Sequence, residues 1–389
     1  MALALATETT STPIFSNWVE RALPAYDSEG KPRFFEDDGE TLIEGIYLDM
    51  PNDVYHALPA LSSSKLKTFL VSPAHYYRSY LSAITRKRTN EQKNTLDAGT
   101  HSHTLILEPQ GYYQTFSRDV VKSDFPDAYS SDVSIKEALK EYLESEANAE
   151  YEAQLAAYKK GDSTTQPKKK RVTVPSDINK VMDMLLTYEP SATFFRVLLE
   201  EHRNKQGAKG TRIYEGEEVV TYGGKIPVDA VVWEDAHRVA KTTRDHDEAD
   251  AYFQYGLPEV AMIARCPRTG MMLKVKFDWL RFDDEAVDMK TTRSTNPVSF
   301  KHQIEDLHYD LQQEFYKYVA SLLDVMINNF TFVATEYREA DICQPFQLPE
   351  RMVIKAKRTM VKALDEMKQC IDTQNWYGWS KEDCTFVFE

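Results

Sequence analysis

Residues 271–292 read MMLKVKFDWLRFDDEAVDMKTT. Two runs of strand-like composition, 271–280 and 285–290, flank a turn-like segment at 281–284. Side chains two apart on a strand share a face, so Asp288 and Lys290 point the same way. A hairpin would bring Asp278, near the end of the first run, beside them. Paired carboxylates bind a hard divalent cation such as Mg2+ through oxygen. A neighbouring lysine can orient or deprotonate an attacking water, or stabilise a phosphate. That is a kit for metal-assisted phosphodiester hydrolysis. By itself the pattern is weak, because Asp-x-Lys on a half-exposed strand is usually a solvated face.

The chain has 389 residues, 42% hydrophobic and 12% aromatic, enough for one large domain or two modest ones. No apolar run approaches the ~20 residues that span a bilayer. The opening MALALATETTSTP lacks a basic n-region, so neither a signal peptide nor a membrane association is expected, and the expected compartment is the cytoplasm. Cys266, Cys343, Cys370 and Cys384 form no CxxC pair, which argues against a zinc site or a disulfide framework. A net charge of −14 argues against a simple DNA-coating protein, yet allows a positive groove inside an acidic shell. Basic residues cluster at Arg86, Lys87 and Arg88, at Lys159 and Lys160, and at Lys168, Lys169, Lys170 and Arg171. These are candidate phosphate contacts, or solvated loop charge.

Residues 1–43 are polar, with an acidic stretch at 36–40, and read as a flexible or loosely docked arm. From Glu44 the pattern becomes ordered. Helices are expected at 61–70 and at 72–81, the second with Ser72 as N-cap and Pro73 at its first position. A basic linker, 86–93, precedes a helix at 97–107 that Pro109 ends. Further helices are expected at 133–160, 176–187, 192–202, 233–244 and 248–255, making a helical and basic insertion around 110–257. Strand patterns follow at 258–265 and in the opening stretch. A long helix at 300–323, a strand at 330–337 and a helix at 349–370 complete the chain. The order predicts an α/β fold with a central mixed sheet flanked by helices.

Three further elements bear on the Asp-x-Lys stretch. Gly99 and His103 are four apart on a helix and share a face; glycine permits close backbone approach and a neutral imidazole can ligate a metal. A hydrogen-bonded core histidine is the plainer reading, and His101 is the nearby competitor. Glu259 opens the strand before Asp278 and could add an acidic ligand, or simply face solvent. Gln312 and Tyr316 are one helical turn apart and could grip a phosphate or brace the site. The text Lys241-Thr-Thr repeats Lys290-Thr-Thr but lacks an acid two residues upstream, and is set aside.

Taken in order, Gly-x-x-x-His, Glu, Asp, Asp-x-Lys and Gln-x-x-x-Tyr resemble the motifs of the RecB-type branch of the PD-(D/E)XK nucleases. Glu44-Gly-Ile-Tyr, Asp53-Val-Tyr-His, Leu61-Ser-Ser-Ser-Lys-Leu-Lys, Ser72-Pro-Ala-His-Tyr-Tyr, Leu96-Asp-Ala-Gly-Thr-His-Ser-His, Asp288-Met-Lys-Thr-Thr and Gln312-Gln-Glu-Phe-Tyr look like the exodeoxyribonuclease VIII (RecE) catalytic domain. The resemblance covers roughly residues 44–379. It implies a PD-(D/E)XK restriction-endonuclease-like core and a Mg2+-dependent 5′→3′ exonuclease, with Mn2+ able to substitute. The substrate would be linear double-stranded DNA, resected to 3′ tails for a single-strand annealing partner. Carried over by motif, His103, Asp278, Asp288 and the backbone carbonyl of Met289 would ligate metal. Lys290 would orient or activate water, Glu259 would assist, and Gln312 and Tyr316 would support the site. A homo-oligomeric ring, tetrameric or trimeric, would reconcile the acidic charge with a basic DNA channel. Related nucleases that hold an iron–sulfur cluster space their cysteines differently, so none is expected here. Lys276 stands where the family often has arginine, keeping the charge for DNA while losing the bidentate fork. The competing expectations are a structure-specific or single-strand nuclease of repair or defence, and a non-catalytic DNA-end-binding protein.

Overall fold

The computed structural model describes residues 15–82, 90–197, 212–214, 218–220, 222, 224–337, 340–382 and 385, with backbone alone for 90–98, 196–197, 212–214 and 218–220. The chain divides into two compact units, residues 110–234 and the remainder.

The larger unit begins with α1 (Trp18–Arg21), β1 (Ala22–Pro24), β2 (Gly45–Leu48), α2 (Asn52–Ala57), α3 (Ser63–Val71), α4 (Pro73–Tyr76) and α5 (Asn90–Leu107). The Ser72 side chain accepts from the His75 amide and so caps α4, as expected. The smaller unit follows α6 (Pro109–Thr115) with β3 (Phe116–Arg118), α7 (Asp132–Lys160), α8 (Ile178–Tyr188), β4 (Arg196–Val197), β5 (Arg212–Tyr214), β6 (Glu218–Val220) and β7 (Ile226–Val228). Ser131 caps the start of α7 and Gly161, with φ 85°, ends it in the left-handed region. Ile135 and Leu139 of α7 pack on Val181, Met182 and Leu185 of α8. The helix expected at 192–202 does not form in its described part. Phe194 bridges to Tyr129, and β4 pairs with β5, so β pairing overrides a helical pattern.

After α9 (Ala230–Arg244) and α10 (Asp247–Tyr252), β8 (Gly256–Arg265), β9 (Met272–Arg281) and β10 (Glu285–Thr292) form an antiparallel meander. Then come α11 (Pro297–Asp306), α12 (Tyr309–Leu322), β11 (Asn329–Glu336), β12 (Cys343–Gln347) and α13 (Glu350–Thr373). The sheet has seven strands in the order β1-β2-β8-β9-β10-β11-β12, and the β10–β11 pair is parallel, so it is mixed. Alternation along β8 sets the layers. Val260 and Met262 join Phe277, Phe300, Phe315 and Met360 in one core, while Ala261 and Ile263 join Tyr47, Tyr55 and Phe34 in another. The expected helix at 300–323 is two helices: His308, at φ 51°, takes a left-handed conformation that a right-handed helix cannot continue.

The reading of residues 1–43 as a loose arm is corrected for the described part. Trp18 is fully buried, its indole N–H donates to the Arg281 carbonyl at 2.9 Å, and its ring meets Phe282 at 5.8 Å. The Ser16 amide donates to Asp284 at 2.6 Å, and β1 extends the sheet through β2. Trp18 and Phe34, two buried aromatics in a polar stretch, carry this docking, and composition averages them away. Among the described residues no helix is long and apolar enough to cross a membrane.

Candidate metal and catalytic site

The site forms where the meander loosens. The β9–β10 register runs through Ala286–Leu280 and Val287–Trp279 and stops; the next residue on each strand is Asp288 and Asp278. The β8–β9 ladder pairs Pro258 with Trp279 and Val260 with Phe277, leaving Glu259 across from Asp278. Glu259 has φ 53°, a left-handed conformation that costs a non-glycine residue roughly 1–3 kcal/mol and clusters at functional sites.

His103 reaches this position from α5. Its Nε2 lies 3.0 Å from Asp278 Oδ2 and its Nδ1 3.7 Å from Glu259 Oε1. Gly99, one turn earlier, explains the approach: a Cβ there would come within 3.1 Å of Thr291 Oγ1 on β10. Asp278 Oδ2 also accepts from the Met289 amide at 2.8 Å. Ligand atoms of His103, Glu259 and Asp278 all lie within 4.8 Å of one another, and the three side chains keep partial exposure. Two carboxylates and an imidazole so placed fit a divalent cation. The field favours one: burial pulls the His103 pKa down, but Asp278, then Glu259 and Asp288, outweigh it and lift it to about 9. The same carboxylates would attract a metal in place of that proton.

Asp288 is turned the other way. It is 2% exposed; Oδ1 accepts from Gln312 Nε2 at 2.6 Å and Oδ2 pairs with Lys290. Burial pushes the Asp288 pKa up to about 6, against the pull of Lys290. Lys290 is drawn down by burial and raised more strongly by Asp288 and Asp278, so its pKa ends above the usual lysine value and it is an ammonium. Lys67, on α3, donates to Gln312 Oε1 at 3.1 Å. Burial, with Lys290 nearby, lowers its pKa to about 7. Both lysines lie over the Tyr309 ring, at 4.8 and 5.2 Å from its centroid. Tyr316, one turn after Gln312, sits edge-on to Phe277 at 5.1 Å, and burial raises its phenol well above the usual value.

The structure thus brings together His103, Glu259, Asp278, Asp288, Lys290, Gln312 and Tyr316. The ligand atoms that lie close together are those of His103, Glu259 and Asp278, whereas Asp288 faces Gln312 and Lys290, and the Met289 amide donates to Asp278. Lys276 is corrected as a DNA contact. It is buried, pairs with Glu259, and donates to the Met50 carbonyl at 3.1 Å and to Asn52 Oδ1 at 2.7 Å, so its three donors are consumed inside the fold. Arg86, Lys87 and Arg88 lie outside the described residues. Lys168, Lys169, Lys170 and Arg171 are exposed in the smaller unit, with Lys170 2.9 Å from Glu150. Lys67 and Tyr309 received no role from sequence; Lys67 stands at the end of the quoted Ser-Ser-Ser-Lys-Leu-Lys text, whereas nothing local marks Tyr309.

Residues 193–387 match the profile of a PDDEXK-like domain of unknown function, DUF3799. The chain belongs to that family. In this PDDEXK-like domain, Asp278 ends the text Phe277-Asp278 and Asp288-Met289-Lys290 supplies the acid-x-lysine element, both on the central mixed sheet. Among solved structures, a provisionally named exonuclease from Eubacterium rectale is 9% identical over 74% of this chain and 88% of that one, with a TM-score of 0.30. A second, SSO0001, is 13% identical over 34% of this chain and 59% of the other, with a TM-score of 0.21. No curated protein matches the sequence.

Proposed function

We propose that this PDDEXK-like protein is a Mg2+-dependent exodeoxyribonuclease, accepting Mn2+, that resects one strand of linear double-stranded DNA. The observation that carries the reading is the convergence of His103, Glu259 and Asp278 beside the Lys290–Asp288 pair. His103, Glu259 and Asp278 would hold the cation, which when bound polarises the scissile phosphate and acidifies water. Lys276 steers Glu259 into place from behind. Lys290, held as an ammonium, suits donation to the attacking water or to the charge growing on phosphate oxygen; it is poorly suited to act as a base. Gln312 fixes the Asp288 carboxylate, and Lys67 fixes Gln312. Digestion from the 5′ end, 3′ tails for an annealing partner, and a ring of copies belong to this reading through the RecE resemblance.

The test is digestion of end-labelled linear duplex and closed circular DNA with Mg2+, Mn2+ or EDTA, comparing wild type with Asp288→Ala. Linear duplex should shorten from its 5′ ends with metal, the circle should survive, and the variant should be inactive. Cleavage of the circle would overturn the exonuclease assignment, and metal-independent cleavage would overturn the site.

A further inference from the structure

The helix α13 carries a feature that the site does not use. Between residues 350 and 362 it holds five cations, Arg351, Lys355, Lys357, Arg358 and Lys362, against the single carboxylate of Glu350, in a chain whose net charge is −14. Arg351, Lys355, Arg358 and Lys362 follow one another at spacings of four, three and four, which places them on one face of a helix. All four are exposed, and Met352, Ala356, Met360 and Ala363 turn inward to the core. Among the described residues none of the four is in an ion pair, whereas Lys368 further along the helix is paired with Asp372, and Asp365 with Arg268.

Four exposed like charges on one helix face repel one another at each i,i+4 step and cost stability. Such a stripe favours a covering anion, and Glu305 and Asp310 stand beside its first two residues only. Its length, 11 residues at about 1.5 Å each, is about 16 Å, or roughly five base-pair rises of duplex DNA.

The stripe is also in the right place. Its first two residues, Arg351 and Lys355, line a recess of about 240 Å³ with Lys301, Glu305 and Asp310. Asp310 adjoins Tyr309, whose ring lies under Lys290 and Lys67. Asp310 in that recess also acts electrostatically on Lys67, which shares the Tyr309 ring with Lys290, so the start of the stripe adjoins the helix that carries Gln312.

We infer that the exposed face of α13 is a track for the sugar–phosphate backbone of double-stranded DNA, guiding the duplex at the site. The identity of the ligand rests on the nuclease reading. Charge complementarity selects it: regularly spaced, unpaired cations match a polyanion with a regular phosphate repeat, and the rest of the molecule is acidic.

The experiment replaces the four together, Arg351→Gln, Lys355→Gln, Arg358→Gln and Lys362→Gln, and pairs this with the charge-preserving exchange Arg351→Lys, Lys355→Arg, Arg358→Lys and Lys362→Arg. Fluorescence anisotropy with a labelled 30-base-pair duplex in EDTA reads affinity against salt. The glutamine variant should bind at least about tenfold more weakly at 0.1 M salt, with a log–log salt slope shallower by up to about 3.6, while the exchange variant keeps both. The glutamine variant should also raise KM for linear duplex in step with its loss of affinity. Equal affinity and slope for wild type and the glutamine variant would overturn the track. So would equal loss in the exchange variant, which would make the role structural. Collapse of an oligomer to monomers with DNA affinity intact would assign the stripe to a second copy instead. A wild type that binds duplex through the stripe but cleaves nothing with any divalent metal would sink the nuclease reading alone.

Discussion

His103 Nε2 lies 3.0 Å from Asp278 Oδ2, joining a helix that precedes the inserted unit to the middle strand of the meander that follows it. The contact is bridged on its other side by Glu259, so one imidazole is shared by two carboxylates. A neutral imidazole has one N–H to share between two carboxylates, so the arrangement favours a second proton on the ring or a cation among the three side chains.

Its first consequence is a pH dependence. His103 has a pKa of about 9, raised from 6.5, so without metal it contributes stability that is fully present below 6.5 and is lost as pH rises through 9. Metal ligation needs the neutral ring, so divalent-cation affinity should climb over the same interval with release of a proton. Thermal melts in EDTA from pH 6 to 10, and Mg2+ titrations at pH 7 and 9, read both. A metal affinity that weakens toward pH 9 would remove His103 from the ligand set.

Lys290 is tied to Asp288 and sits over Tyr309. Its raised pKa makes it a charged donor at all physiological pH values. Lys290→Met should lower kcat by about 10²–10³, the loss of one preorganised donor, with little change in DNA affinity. A pH–rate profile of wild type should show no limb from lysine deprotonation near neutrality. Retention of more than a tenth of wild-type kcat in the variant would argue that Lys290 is a bystander.

Gln312 acts through Asp288, and Lys67 acts through Gln312. Groups that orient a site from behind typically cost 10–100-fold in activity or metal affinity when removed, so Gln312→Ala and Lys67→Met should each fall in about that range. Because they form one chain, the double variant should be less impaired than the product of the singles. Strictly multiplicative losses in kcat would show that the chain is not coupled.

The Asp-x-Lys hairpin is legible from sequence because its register is local: a four-residue turn joins two strand runs, and period-two alternation fixes which residues face together. The Gly99–His103 spacing is legible for the same reason on a helix. What escapes is long-range. Nothing near Glu259 signals a left-handed backbone, and nothing near Lys276 signals that Met50 and Asn52 will absorb its donors. His308 has no proline or glycine beside it, so the break between α11 and α12 is invisible in periodicity. Yet that break sets the entry of α12, from which Gln312 and Tyr316 project.

Lys276 illustrates the energetic side. It is buried against Glu259, the Met50 carbonyl and the Asn52 side-chain oxygen, so Lys276→Met leaves all three without this donor. Breaking a buried pair from one side costs about 3–5 kcal/mol. Denaturant unfolding should show a loss of that order. A shift below about 1 kcal/mol would mean that solvent reaches Glu259 freely, as it does at surface pairs.

The N-terminal segment tests whether the fold and the site are one cooperative object. Trp18 is fully buried and holds the Arg281 carbonyl, while Ser16 binds Asp284, so both ends of the turn between β9 and β10 are clamped from a segment more than 250 residues away in the chain. Asp278 lies three residues before the clamped Arg281, and Asp288 four residues after Asp284. Trp18→Ala removes a large buried aromatic and one hydrogen bond, a loss of about 3–5 kcal/mol. If the clamp also sets the hairpin, activity of the folded variant at low temperature should fall and Mg2+ should bind more weakly, because Asp278 is no longer held against His103 and Glu259. Denaturant unfolding with Mg2+ titration at 10 °C separates the two effects. Full stability in the variant would show that residues 15–24 are an appendage after all, and lost stability with unchanged Mg2+ affinity would confine the clamp to folding.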